Sequence, residues 1–385
     1  MLFRSEKAPV HWCFITPEYP PTVGGVADYT RLVATHLLKA GHQVNVLAPT
    51  RGQPPIDNGL DVQPVLGEFG PIGFWRGSKV LDGIAEPRRL FLQWVPHGFG
   101  FKSMNLLLVL WIWWRVVVRR DQLWIMAHEP FLAFENGFKQ RFAACVHRTM
   151  VWVLLRLAGR VFAGNQLWIK TLSPWCPQRL KVEWLPVPST LPLVDDLKAI
   201  QAAREKWAGA SGLIGHFGTF GAHTREVLGE PLRLVLDRSP AVRALLLGKN
   251  GDQFLAELIK DHPHLSDRVT APGKQELEQL SIGLSACDLM LQAYGGGIST
   301  RNTSLMAILQ HGKPLVATRG HVTDPEWDAW DVVDLAQVGD SEGLAERAIE
   351  LLENQPLRQT KGAAGKELYE KLFSINRLVE TLLAD

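Results

Sequence analysis

A short apolar run at residues 286–293 is followed by Gly295, Gly296 and Gly297, then by the polar string Ser299, Thr300, Arg301, Asn302, Thr303 and Ser304. A helix-like stretch at 305–310 comes next and ends in Gly312, Lys313 and Pro314. A run of that length suits a strand buried on both faces of a parallel sheet. Three glycines let the backbone turn sharply at the strand's carboxyl end, and hydroxyl and amide side chains are natural caps for the helix that follows. The first N–H groups of that helix, at the positive end of its dipole, then point at whatever lies above the strand. Open α/β sheets bind ligands there, and a diphosphate suits such a cradle. A plain glycine loop closed by an ordinary N-cap remains the alternative reading.

The rest of the chain repeats this strand, loop and helix grammar. In the first half, 12–16 reads as a strand, 17–25 as a Pro/Gly loop, and 26–39 as a helix with Val26, Tyr29, Val33 and Leu37 on one face. Gly41 and His42 close that helix, and a strand at 44–48 completes a βαβ unit, whose crossover is right-handed almost without exception. Strand-like runs at 90–95, 123–127 and 160–163 alternate with amphipathic stretches at 104–120 and 142–157. Pro186, Pro188 and Pro192 then mark a boundary. The second half restarts with a strand at 213–217, a turn at 218–221, a helix from about Pro231, a strand at 244–247, a turn at 248–251 and a helix at 253–260. A short strand at Val269, a helix at 274–283, the cradle and a strand at 315–318 follow, and 341–385 is helical in pattern. The fold expected is α/β: two Rossmann-like, doubly wound domains facing a cleft. The first spans 1–188 and the second 189–365, with a tail at 366–385 able to pack back on the first.

At 385 residues the chain is long enough for two such cores. Its 41 basic and 39 acidic residues give a net charge of +2, which argues against nucleic acid as a partner. Cys13, Cys145, Cys176 and Cys287 stand singly, without metal-ligand spacing, so neither zinc nor a disulfide framework is expected and a reducing cytoplasm fits. Asp28 and Asp288 are isolated carboxylates; no metal is called for. Residues 4–7 are polar and 12–15 strand-sized, so no signal peptide is expected. The longest apolar run, 106–114, is too short to span a bilayer, which takes about 20 residues. It contains Trp111, Trp113 and Trp114, and arginines follow it, so two readings stay open: a core helix, or a superficial contact with the inner face of the cell membrane.

Pro17-Glu18-Tyr19-Pro20-Pro21-Thr22-Val23-Gly24-Gly25 with Gly41-His42, His128-Glu129-Pro130-Phe131, His216-Phe217-Gly218-Thr219, Leu247-Gly248-Lys249-Asn250-Gly251, Ala271-Pro272-Gly273 and the cradle before Gly312-Lys313-Pro314 occur in the order found in one large enzyme group. Over nearly its whole length the chain resembles glycosyltransferases of the GT-B fold, most of all the retaining, nucleotide-sugar-dependent family 4 (group 1).

The resemblance implies transfer of a sugar from a nucleotide diphosphate sugar to a glycan or lipid-linked acceptor in cell-surface polysaccharide synthesis. The nucleotide sugar is a co-substrate, and no cofactor is implied. Gly24, Gly25, Asp28, Tyr29, His97 and Glu129 would lie on the acceptor side, with His128 beside the reacting sugar. Gly218, Thr219, Arg225, Lys249, Asn250, Gly273, Ser299, Thr300, Asn302, Thr303 and Ser304 would bind the donor, and Arg301 would hold its phosphates. Two departures stand out. Thr219 occupies a position where many relatives carry arginine, leaving Arg225 and Arg301 as the cations, and the family's two glutamates spaced eight apart fall on Ser299 and Ala307. A catalytically silent subunit that binds a sugar nucleotide or a partner enzyme, and a sugar-nucleotide epimerase, are the rival readings.

Overall fold

The computed structural model describes residues 10–22, 24–49, 59–134 and 137–384. The polar segment 4–7 and Val23 of the Pro/Gly loop lie outside the described residues. The chain divides into two compact units, Met1–Pro186 with Leu378–Asp385, and Val187–Arg377.

The first unit runs β1 (His11–Ile15), α1 (Gly25–Lys39), β2 (Gln43–Leu47), β3 (Asp61–Gln63), α2 (Pro71–Asp82), β4 (Arg88–Trp94), α3 (Leu106–Val117), β5 (Gln122–Ala127), α4 (Phe138–Leu157), β6 (Ala158–Ala163), α5 (Gln166–Leu172) and β7 (Val182–Trp184). Among the described residues its sheet has seven strands in the order β3-β2-β1-β4-β5-β6-β7, all parallel. Strand order reverses between β1 and β4, so the loops after these two strands flank the crevice where doubly wound sheets take ligands. The core under α2, α3 and α4 joins Ile15, Leu92 and Ile125 of the sheet to Phe74, Ile112 and Leu154 of the helices.

The second unit runs α6 (Leu197–Trp207), β8 (Gly212–Phe217), α7 (Ala222–Arg238), β9 (Val242–Leu247), α8 (Gly251–Asp261), β10 (Val269–Thr270), α9 (Leu277–Ala286), β11 (Leu289–Gln292), α10 (Thr303–Gln310), β12 (Leu315–Arg319), α11 (Glu326–Trp330), β13 (Asp334–Gln337), α12 (Ser341–Glu353), α13 (Gln355–Leu368) and the start of α14 (Ile375–Leu383). Its parallel sheet has the order β10-β9-β8-β11-β12-β13 among the described residues. The reversal lies between β8 and β11, flanked by the turn at 218–221 and by the glycine cradle. The far end of α14 belongs to the first unit: Leu378, Val379 and Leu382 are buried, and Arg160 on β6 donates from Nη1 to the carbonyl of Ala384 at 2.7 Å.

One helix start differs from the sequence expectation. α7 begins at Ala222, not near Pro231, and holds Pro231 in its interior. Pro231 is buried, in line with Leu228, Leu232 and Val235 on the core side, so burial of this face outweighs the hydrogen bond that proline deletes.

Candidate functional site

In the second unit the cradle is held by a residue that the sequence reading passed over. Asp324, almost wholly buried, lies in the loop between β12 and α11, and its Oδ2 accepts from Thr300 N at 2.8 Å, Thr300 Oγ1 at 3.0 Å and Ser299 Oγ at 3.3 Å. The same loop is tied to the glycines, Val322 N donating to Gly296 O at 3.0 Å, and Ile298 N donates to Thr318 O of β12 at 2.9 Å. Tyr294 N donates to Thr318 Oγ1 at 2.7 Å.

The three glycines are not equivalent. Gly297 has φ +86°, and a Cβ there would sit 2.1 Å from Gly320 N. Gly295 has room, its nearest neighbour being His223 Cβ at 3.5 Å.

These contacts correct part of the expected anion seat. Ser299 and Thr300 are buried and turn their hydroxyls to Asp324, and the N–H groups of Thr300 and Asn302 are taken by Asp324 and by Ser299 O. Asn302 accepts from Ser299 N at 2.7 Å through its side-chain oxygen and makes no cap to α10. The first turn of α10, Thr303, Ser304 and Leu305, therefore carries the N–H groups that have no intrahelical acceptor. Arg301 is exposed beside them. Ser304 Oγ lies 2.7 Å from the hydroxyl of Tyr294, another residue that sequence reasoning missed. Ala307 is buried.

Across the switch point, Gly218 directly follows β8. A Cβ on Gly218 would lie 3.9 Å from both His216 Nε2 and Ser304 Oγ, so this glycine, His216 and the cradle are close neighbours. The buried His216 ring donates from Nδ1 to Leu291 O at 2.9 Å, and desolvation lowers its pKa to about 4. Thr219 is exposed, and the adjacent Phe220 N donates to Lys249 O at 3.1 Å. Gly248 is required at that crossing, since a Cβ there would meet Gly218 O at 2.1 Å. Lys249 and Asn250 are exposed, Asn250 in the left-handed region before α8. Gly273 has φ +75° with open space around it. Arg225, expected on phosphate, is paired with Glu257 at 2.6 Å, an arrangement that directs its guanidinium to a protein carboxylate.

In the first unit the loop after β1 folds against the loop after β4, so closely that a Cβ on Gly98 would lie 2.4 Å from Pro17 Cβ. Glu18 Oε1 accepts from Val26 N and Ala27 N, both at 3.1 Å, and thereby occupies the anion position at the amino end of α1. Gly24 is what admits it: a Cβ at Gly24 would be 2.2 Å from Glu18 Oε1. Gly25 and Asp28 are exposed in the first turn. Tyr29, placed with the acceptor residues from sequence, is fully buried on the core face of α1, with its ring edge-on to His128 at 4.9 Å.

His128, at the end of β5, donates from Nε2 to Gln93 Oε1 at 2.9 Å. Desolvation lowers its pKa to about 3, so the ring is neutral at pH 7, and with the proton on Nε2 its acceptor is Nδ1. Glu129 follows, and its carboxylate is 3.9 Å from His97 Nε2, both side chains about half exposed.

The chain matches no family model. A stretch of 149 residues, 37% of this chain and 37% of the relative, is 30% identical to N-acetyl-alpha-D-glucosaminyl L-malate synthase of Bacillus anthracis. The match thus spans little more than a third of that relative. Two solved structures agree over nearly the whole chain: sucrose-phosphate synthase from Thermosynechococcus elongatus, with a TM-score of 0.73, 16% identity and 97% coverage of both chains, and Anabaena HepE in complex with UDP and glucose, with a TM-score of 0.66, 15% identity and coverage of 97% of this chain and 98% of that one. The fold is that of the GT-B glycosyltransferases, with two Rossmann-like units.

Proposed function

We propose that the chain is a glycosyltransferase which moves a sugar, with retention, from a nucleotide diphosphate sugar to a glycan or lipid-linked acceptor of the cell surface. The observation that carries this is the Asp324-braced cradle leading into the uncapped first turn of α10 at the switch point of the second unit. The GT-B likeness and the UDP bound in the HepE structure support it.

In this reading the diphosphate meets the N–H groups of Thr303, Ser304 and Leu305 and the Arg301 guanidinium. Those dipoles and that charge stabilise the leaving group as it departs. The departing oxygen takes the acceptor's proton, so the protein's task is positioning and charge stabilisation. We assign that stabilisation to backbone and arginine rather than to a metal. In the first unit the neutral His128 ring offers Nδ1 as an acceptor for a hydroxyl of the glycan or lipid-linked acceptor. Asp324 replaces the missing glutamates as a brace for the loop, not as a contact with sugar.

Isothermal titration with a panel of nucleotide sugars tests the donor assignment. One of them should bind, and Arg301→Ala should weaken it at least tenfold; unchanged affinity would overturn the cradle assignment. Binding without hydrolysis or transfer over a broad acceptor panel would instead favour a silent subunit. Burial of Ser299 and Ala307 where glutamates are expected is the observation on that side.

A further inference from the structure

Helix α3 is built inside out. Its one charged residue, Arg115, is fully buried, donating from Nε to Asp121 Oδ2 at 2.6 Å and from Nη1 to Asp82 Oδ1 at 2.6 Å. Its exposed side and the residue after it hold only apolar groups: Leu106, Leu107, Leu110, Trp113, Val117 and Val118, with Leu110 61% exposed. A soluble surface helix has the opposite arrangement.

The neighbours continue the pattern. α3 packs beside both α2 and α4. On α2, exposed Ile72 and Trp75 stand beside Arg76 and Lys79, with Lys79 Nζ 4.3 Å from the Trp75 ring centroid. On α4, Phe138 (86% exposed), Phe142 and Trp152 recur along the outer side with Lys139, Arg141 and Arg156, the last 3.7 Å from the Trp152 ring centroid. α4 contains no acidic residue, and the one on α2, Asp82, is paired with Arg115 and Arg119. Among the described residues no helix is long and apolar enough to cross a membrane.

We propose that the outer face of α2, α3 and α4 docks on an anionic lipid bilayer, with the α3 ridge entering the headgroup region and the flanking lysines and arginines meeting lipid phosphates. An apolar ridge between cationic rows, with aromatic rings beside the cations, matches an interface that is apolar below and anionic above. A second copy of the chain matches less well, because a two-fold contact through this face would set cationic rows against cationic rows. The inference stands apart from the transferase reading, and failure of either leaves the other in place.

The test is co-sedimentation of the full chain with phosphatidylcholine vesicles, with and without phosphatidylglycerol, at low and high salt. Binding should need the anionic lipid and weaken with salt. Leu110→Glu combined with Trp113→Glu should reduce it at least tenfold while leaving the thermal melt unchanged, since both positions are exposed. Lys139→Gln and Arg141→Gln should each reduce it about fivefold. No vesicle binding, binding indifferent to phosphatidylglycerol, or binding unaltered by the α3 substitutions would overturn the proposal. So would a wild-type dimer that the α3 substitutions convert to monomer without any vesicle affinity.

Discussion

Replacing Asp324 tests the cradle most directly. One oxygen, Oδ2, accepts from Thr300 N, Thr300 Oγ1 and Ser299 Oγ at 2.8, 3.0 and 3.3 Å. Hydrogen bonds to a charged acceptor contribute about 1.5–3 kcal/mol each, against about 0.5–1.5 kcal/mol for neutral ones. Asp324→Asn keeps the shape and, with its carbonyl oxygen facing Thr300, the three bonds; losing the charge should cost about 2–3 kcal/mol. Asp324→Ala removes the acceptor shared by three buried donors and should cost about 4–5 kcal/mol, a large share of the roughly 5–15 kcal/mol that holds a domain together. For a unit of this size the Asn variant should lower the melting temperature by roughly 4–12 °C. Chemical denaturation measures the free energies, and titration with the nucleotide sugar that binds wild type measures the site. The dissociation constant should rise at least tenfold, because only Arg301 and Asn302 separate the braced Thr300 from Thr303 and Ser304. Thr300→Val should be non-additive with Asp324→Asn by about 1–2 kcal/mol. An Ala variant within about 1 kcal/mol of wild type that also binds donor normally would refute the brace.

Other substitutions probe separate links. Gly297→Ala should destabilise the second unit by more than about 3 kcal/mol, since it combines a positive φ with overlap on Gly320 N, whereas Gly295→Ala should stay within about 1 kcal/mol, both read by urea denaturation. Glu18→Ala removes the acceptor for two N–H groups of α1 and should cost the first unit about 0.5–2 kcal/mol. His216 has a folded pKa of about 4 against an ordinary value of 6.5, so the unfolded chain binds the extra proton between them. Its contribution is complete above pH 6.5 and fades as pH falls toward 4, by about 3 kcal/mol between pH 7 and pH 4. Denaturation at both pH values should show His216→Gln losing that much less than wild type on acidification.

The sequence made the strands legible where burial on both faces leaves an uninterrupted apolar run, as over 244–247 in β9 and 289–291 in β11. It did not reveal β13, whose Asp334, Leu335, Ala336 and Gln337 contain no such run, nor the three-residue edge strands β3 and β7. Pro231 was a misleading start signal: proline favours a first helical turn, but here tertiary burial carries the helix through it. The cradle itself was legible because glycine spacing is local. Asp324 was not, because its tie to Thr300 spans 24 residues and only the folded chain brings them together. For α3 the apolar run was evident from sequence, but which side faces outward depends on where Arg115 finds its carboxylates.

The Glu18 carboxylate has a consequence for how labour divides between the two halves. Both units set a glycine loop and a helix beside a topological reversal, an arrangement that in duplicate would offer two berths for phosphate. In the first, the chain's own carboxylate is already moored at the amino end of α1, and a phosphate arriving there would face a like charge. In the second, Asn302 turns away from α10 and that berth stays unfilled by its own cap. A single glutamate, admitted by the absence of a Cβ at Gly24, thus makes the amino ends of two similarly placed helices chemically unlike, one already met by a carboxylate and the other not.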